Sequence, residues 1–128
     1  MKASLKNFHQ SPRKVRLVAD MIRGKSVPAA RAALLFLPKK SAPTISKLLD
    51  SAVANSGVTP DTLYIKSIAV NKGAIMKRAR PFARGRAGTI RKTMSIVTLE
   101  LGTNAPAKKA RAKKTSAKKD KAKTEETK

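Results

Sequence analysis

Residues 63–101 read LYIKSIAVNKGAIMKRARPFARGRAGTIRKTMSIVTLEL, and this stretch carries the central structural prediction for the chain. Two runs inside it, 63–70 and 96–101, are rich in β-branched and other apolar residues. In the second run apolar and polar residues alternate, which is typical of a strand with one buried face. We therefore predict that the two runs pair as antiparallel strands.

The segment between these runs, residues 71–94, is strongly basic and has no acidic residue. It contains too few apolar residues to bury a core, so we predict that it continues both strands as a hairpin turning near 81–85. Arms of about ten residues would reach roughly 30 Å. A two-stranded ribbon of this kind is marginally stable in water, which indicates that a bound partner stabilises it. Its cations are Lys72, Lys77, Arg78, Arg80, Arg84, Arg86, Arg91 and Lys92.

Before residue 63 the sequence predicts a strand-like segment at 1–10 and three helices. The helices span about 12–23, 26–37 and 41–56, because each begins near serine and proline and ends at a glycine or proline. We expect the Ser11 hydroxyl to cap the first helix. The second helix is expected to be short and buried, since its apolar residues are Ala32, Ala33, Leu34, Leu35 and Leu37.

The first helix predicts a second basic surface. Helical spacing gives it an apolar stripe for the core and leaves a charged flank. We expect that flank, with the cation that follows the helix end, to contact phosphates. The residues concerned are Arg13, Lys14, Arg16, Arg23 and Lys25.

The composition points to a polyanionic partner. The chain has 128 residues, with 30 Lys+Arg against 7 Asp+Glu and a formal net charge of +23. One domain at most fits that length, and such an excess of one charge favours nucleic acid, with an acidic membrane surface second. No apolar run approaches the ~18 residues that span a bilayer, and residues 1–10 do not resemble a signal peptide. We expect a soluble intracellular protein that does not bind membranes.

Groups for catalysis or metal binding are scarce. The chain has no cysteine, which excludes disulfides and thiolate metal sites. His9 is the only histidine, and the acidic residues are scattered rather than paired. We therefore expect no enzymatic activity, no metal and no cofactor.

The basic segment favours nucleic-acid contact over a solvated charged face, which normally mixes both signs. Arginine binds phosphate oxygens and stacks on exposed bases. RNA is favoured over DNA because an irregular hairpin suits the crevices of folded RNA and the sequence has no helix-turn-helix, zinc-finger or zipper signature. Residues 102–128 are rich in lysine and alanine and are predicted to be disordered when free, either as a solubilising tail or as further phosphate contacts. A DNA-packaging protein with such a tail is the alternative.

Five short blocks occur in order across residues 1–101: SPRKVRLV at 11–18, IRGK at 22–25, SAVAN at 51–55, MKR at 76–78 and ARGRA at 83–87. In this order and spacing they resemble the family of bacterial large-subunit ribosomal protein twenty-two. The tail at 102–128 lies outside the resemblance.

The resemblance implies an α+β fold, with three helices packed on a three-stranded antiparallel sheet and a long protruding β-hairpin. Residues 1–101 would form one RNA-binding domain. The protein would be a cytoplasmic, structural constituent of the large ribosomal subunit that binds 23S-type ribosomal RNA and neighbouring ribosomal proteins and supports subunit assembly, and we expect no homo-oligomer. The hairpin would line the polypeptide exit tunnel and meet the nascent chain. Its tip would comprise Met76, Lys77, Arg78, Phe82, Arg84, Gly85, Arg86 and Ala87.

Overall fold

The structure is a computed structural model that describes residues 1–103. The chain order is β1 (Lys2–Phe8), α1 (Pro12–Ile22), α2 (Val27–Leu35), α3 (Ala42–Ala54), β2 (Tyr64–Pro81) and β3 (Ala87–Gly102). The strands form one antiparallel sheet in the order β1-β3-β2, and α1 and α3 contact it. The predicted α+β class, with three helices, a three-stranded antiparallel sheet and a long hairpin, is confirmed. The tail is predicted to be disordered, and its residues from position 104 onward lie outside the described part of the chain.

The helices begin and end near the predicted residues. Each has a proline in its first turn, where the missing N–H costs no helical hydrogen bond. Helix α1 ends before Gly24, whose φ of +72° suits glycine. The prediction that the Ser11 hydroxyl caps α1 is wrong, because that side chain makes no cap hydrogen bond. The start of α1 is instead closed by the Ser11 carbonyl, which accepts hydrogen bonds from Lys14 N at 3.0 Å and Val15 N at 3.3 Å.

The core lies between the helices and the sheet and is aliphatic. Its fully buried side chains stabilise the fold by about 1.5–3 kcal/mol each. The largest of them are Ile22, Ile45, Leu49, Leu63, Ile65 and Leu99.

Helix α2 is less buried than predicted. Only Val27, Ala30 and Leu34 are buried, whereas Leu35 and Phe36 are 81% and 83% exposed. A helix packed along one side buries a single stripe. The apolar run that predicted a buried helix therefore extends onto the solvent side.

Strand β2 lies at the edge of the sheet, and the turn after α1 covers the first part of that edge. Val27 N donates a hydrogen bond to Leu63 O at 3.0 Å, and Gly24 N donates one to Ile65 O at 3.2 Å. An open edge would be free to pair with another chain, so this turn protects β2 near its start.

Two arginines of the α1 region cover the next part of the same edge. Arg23 Nη2 donates to Ile68 O at 3.2 Å. Arg16 donates from Nε and from Nη2 to Val70 O, at 3.1 and 3.0 Å. The side chains thus fasten α1 to β2 at the point where the hairpin leaves the domain.

Beyond this point β2 and β3 continue without the third strand. Strand β1 pairs with β3 only as far as Phe8 and Ser95. The other two strands stay paired out to Pro81 and Ala87, with a bulge in β2 between residues 72 and 75. The hairpin predicted for residues 71–94 is therefore an extension of the sheet itself.

Candidate nucleic-acid interface

Residues 71–94, called the basic ribbon from here on, project from the domain with almost no buried surface. These residues are exposed apart from the half-buried Gly73, Gly88 and Thr93 and the buried Met94. Each arm of about ten residues spans roughly 30 Å. Among residues 1–103 no cation of the ribbon forms an ion pair, since the three pairs found there are Lys2–Glu100, Arg23–Asp20 and Arg31–Asp50.

Cationic side chains project from both faces of the ribbon. Residues paired across the two strands share a face, and the face alternates along each strand. Lys77 lies opposite Arg91 on one face, and on the other face Lys92 lies opposite Met76. Like charges directly opposite each other destabilise a strand pair. The free ribbon therefore carries a repulsion between Lys77 and Arg91 that an anion on their face would relieve.

The turn at the end of the ribbon is built around two residues with positive φ. Phe82 N donates to Arg86 O at 2.8 Å and closes the turn. Inside it, Arg84 and Gly85 have φ of +57° and +69°. A left-handed conformation is uncommon for arginine and is a mark of turns and functional sites. The Phe82 ring is 73% exposed, so the turn presents an aromatic ring and two guanidinium groups to its surroundings.

The structure divides the residues that the resemblance placed at the hairpin tip. Phe82, Arg84, Gly85 and Arg86 form the turn, and Ala87 begins β3. Met76 lies on the arm opposite Lys92, with Lys77 and Arg78 following it. About six residues separate Met76 from the turn, or roughly 20 Å of strand. Met76 therefore belongs to the base of the ribbon rather than to its end.

The basic flank of α1 also divides into two groups. Arg13 and Lys14 are exposed in the first turn, and Lys25 is exposed after the helix end. Arg16 and Arg23 use part of their donor set on Val70 O and Ile68 O, as described above. Arginine has five N–H donors, so both retain donors for a second partner.

An ion pair on the sheet ties the three strands together near residue 100. Lys2 Nζ lies 2.8 Å from Glu100 Oε1, and Ser67 Oγ donates to Glu100 Oε2 at 3.0 Å. The hydrogen bonds from Lys2 and then Ser67 hold the pKa of Glu100 below 4.5, and Glu100 raises the pKa of Lys2 above 10.5. Glu100 is therefore already paired within the domain and does not neutralise the charge of the ribbon.

Sequence reasoning missed a small cavity at the base of the ribbon. His9, Gln10 and Ser11 line one side of it, and Met76 and Met94 belong to the other. The available signal was the position of the only histidine just before α1, which becomes informative only once the register of β1 on β3 is known.

Other kinds of site are not found in the described part of the chain. No group of three or more potential metal ligands occurs within residues 1–103. In the same range, none of the helices is both long and apolar enough to cross a membrane.

Comparison with known proteins identifies similar chains along nearly the whole described length. The family model described as "Ribosomal protein L22p/L17e" matches residues 3–102. A protein named large ribosomal subunit protein uL22 from Neorickettsia sennetsu is 52% identical over 106 residues, covering 80% of this chain and 94% of the relative. Its namesake from Mesoplasma florum is 52% identical over 102 residues, which is 77% of this chain and 91% of that protein. The one from Herpetosiphon aurantiacus is 46% identical over 102 residues, with coverages of 77% and 90%.

Proposed function

Because this chain belongs to the ribosomal protein L22p/L17e family, we propose that it is a structural constituent of the large ribosomal subunit and resides in cytoplasmic ribosomes. Its role is to hold other molecules in place rather than to catalyse a reaction. Its partners are 23S-type ribosomal RNA and the neighbouring proteins of the large subunit.

The basic ribbon carries the RNA-binding function in this proposal. The supporting observation is a projecting hairpin with eight cations, no acidic residue and no core. Phosphates on its two faces would neutralise both sets of cations and release the counterions that the RNA had held. A ribbon inserted between RNA segments would also reduce their mutual repulsion. Insertion would therefore support assembly of the subunit while ordering the ribbon.

The exposed cations of α1 provide a second contact. Arg13 and Lys14 are free to bind phosphates, and Lys25 extends the same surface past the helix end. Arg16 and Arg23 hold the ribbon base with some of their donors and offer the rest to RNA. Phosphate contacts of this kind fix position and orientation, so the domain would anchor the ribbon that it presents.

The turn of the ribbon lines the polypeptide exit tunnel in this proposal. Three features support that placement: the family resemblance, the reach of roughly 30 Å, and the exposed Phe82, Arg84 and Arg86 at the far end. Phe82 would stack on a base or form part of the tunnel wall. The nascent chain would pass the turn, while Met76 would lie nearer the domain.

Sedimentation of a gentle lysate on a sucrose gradient tests the ribosomal role. The protein is followed by antibody through the large-subunit, small-subunit, nucleoid and soluble fractions, before and after a high-salt wash. We expect near-stoichiometric amounts in large subunits that resist the wash. Comigration with DNA, abolished by deoxyribonuclease, would instead indicate a DNA-packaging protein and overturn the proposal.

A further inference from the structure

The cavity at the base of the ribbon lies where β1 separates from β3. The last pair between these strands is Phe8 with Ser95. Within the described residues, the edge of β3 from Met94 outward has no strand beside it on that side. We call the resulting cavity the notch. Its volume is about 280 Å³. It is lined by His9, Gln10, Ser11, Met76, Arg91, Lys92, Thr93 and Met94.

The wall of the notch that comes from the N-terminal segment is held in place by hydrogen bonds to its backbone. Gln10 N donates to Phe8 O at 2.7 Å. The fully buried Ser95 donates from its hydroxyl to the Gln10 carbonyl. Asn7, with φ of +57°, lies in the irregularity of β1 between Leu5 and Phe8, after which Phe8 pairs again with β3. The position of His9 relative to the strands is therefore set by the fold.

The notch combines three chemical features. Met94 is 8% exposed and Met76 41% exposed; Met76 pairs with Lys92 across the ribbon, and Met94 lies two residues beyond Lys92 on the same face of β3. They give a polarisable apolar surface, which thioethers offer readily to aromatic rings. The exposed His9 adds an imidazole, and Lys92 adds a cation on the same face of the ribbon as Met76. The unpaired edge of β3 supplies backbone donors and acceptors.

From this combination we propose that the notch binds one unstacked nucleotide of large-subunit ribosomal RNA, with its base against Met76, Met94 and His9 and its phosphate at Lys92. The inference rests on the proposed function, because RNA must first lie along the ribbon. Folded RNA is recognised largely through splayed bases that stack on side chains and hydrogen-bond at their edges. A site for phosphate alone would have no use for the two methionines.

A matched pair of methionine variants tests the base contact. Met76→Ala removes apolar surface from the notch, and Met21→Ala removes it from α1, where Met21 is 44% exposed and lines no part of the notch. The full chain and both variants are titrated with large-subunit ribosomal RNA over a range of salt concentrations. Loss of the thioether contact with one base should weaken binding about two- to tenfold. The salt slope should stay unchanged, because no phosphate contact is lost.

The outcomes distinguish the notch from the proposed function itself. Equal affinities for Met76→Ala and Met21→Ala, or a smaller salt slope for Met76→Ala, would overturn the nucleotide site while leaving RNA binding intact. Failure of the unchanged chain to prefer large-subunit RNA would instead overturn the proposed function. Ultraviolet crosslinking of intact large subunits, followed by nuclease digestion and mass spectrometry, gives a second readout. We expect nucleotide adducts on peptides containing residues 9–11 or 93–94, and adducts confined to residues 77–86 would exclude the notch.

Discussion

Arg16→Met separates the part that α1 plays in folding from the part that it plays in binding RNA. Arg16 donates two hydrogen bonds to Val70 O, at 3.1 and 3.0 Å. They share one acceptor, so they count as one charge-assisted interaction, for which about 1.5–3 kcal/mol is typical. Because the arginine side chain is exposed, solvent competes for it, and we expect a loss of about 1–2 kcal/mol in the free energy of unfolding.

Arg13→Met is the matched control on the same helix. Arg13 is exposed and has no hydrogen bond or ion pair to the described residues. Each variant lowers the net charge of the chain by one, so relief of self-repulsion is the same in both. The control should change the free energy of unfolding by less than about 0.5 kcal/mol. The difference between the two variants therefore isolates the contact with Val70.

Urea denaturation of the full chain, followed by far-ultraviolet circular dichroism, measures this difference. With a slope of about 2 kcal/mol per molar urea, the midpoint of Arg16→Met should fall roughly 0.5–1 M below that of Arg13→Met. In RNA titrations Arg13→Met should have the clear effect, because it loses a phosphate contact. It should lower the slope of log affinity against log salt by about 0.7–0.9. Equal urea midpoints for the two variants would refute the structural role of Arg16.

Three further predictions concern the turn, the ion pair and the ribbon. Because the chain has no native cysteine, Ala87→Cys should crosslink through a bifunctional maleimide to a cysteine in a nascent chain arrested in the tunnel. The similarly exposed Ala29→Cys on α2 should not crosslink. The reverse pattern would contradict the tunnel placement. Glu100→Gln should lower the thermal midpoint of unfolding above pH 4.5. The difference in midpoint from the unchanged chain should disappear as the pH falls, because a carboxylate with a depressed pKa stabilises the fold only while it is ionised. A pH-independent difference would count against the pair with Lys2. Residues 77–91 can be replaced by Asn-Gly, which joins the strand partners Met76 and Lys92 through a two-residue turn. This replacement should change the free energy of unfolding by less than about 1 kcal/mol. An unfolded product in circular dichroism would show that the ribbon is part of the core.

The strands and the hairpin could be predicted from sequence because their signals are local. Alternation of apolar and polar residues marks the end of β3, and the lack of apolar residues in 71–94 implies that this segment leaves the core. The hairpin connection then follows from the order of the elements. Proline and glycine likewise mark the helix ends without knowledge of the tertiary fold.

The partners of charged side chains could not be predicted in this way. Helical spacing assigns Arg16 and Arg23 to one flank, but it does not reveal that β2 places its edge carbonyls beside that flank. A flank that looks free in the sequence is thus partly used within the domain. The exposure of Leu35 has the same origin, since an apolar residue is buried only where another element lies against it.

The composition of the notch also depends on long-range register. His9 and Met94 are distant in the sequence and lie near each other only because Phe8 pairs with Ser95. The bulge between Lys72 and Ile75 sets which side chains of β2 share a face with Lys92. A one-residue change in register would move every side chain to the other face.

The salt dependence of binding to large-subunit ribosomal RNA tests the central role of the ribbon most directly. The chain that lacks residues 77–91 is compared with the full chain under the same conditions. The truncation removes Lys77, Arg78, Arg80, Arg84, Arg86 and Arg91. If each of these contacts one phosphate, the slope of log affinity against log salt should fall by about 4 to 5. A slope that stays unchanged in a folded truncated chain would contradict the assignment of RNA binding to the ribbon.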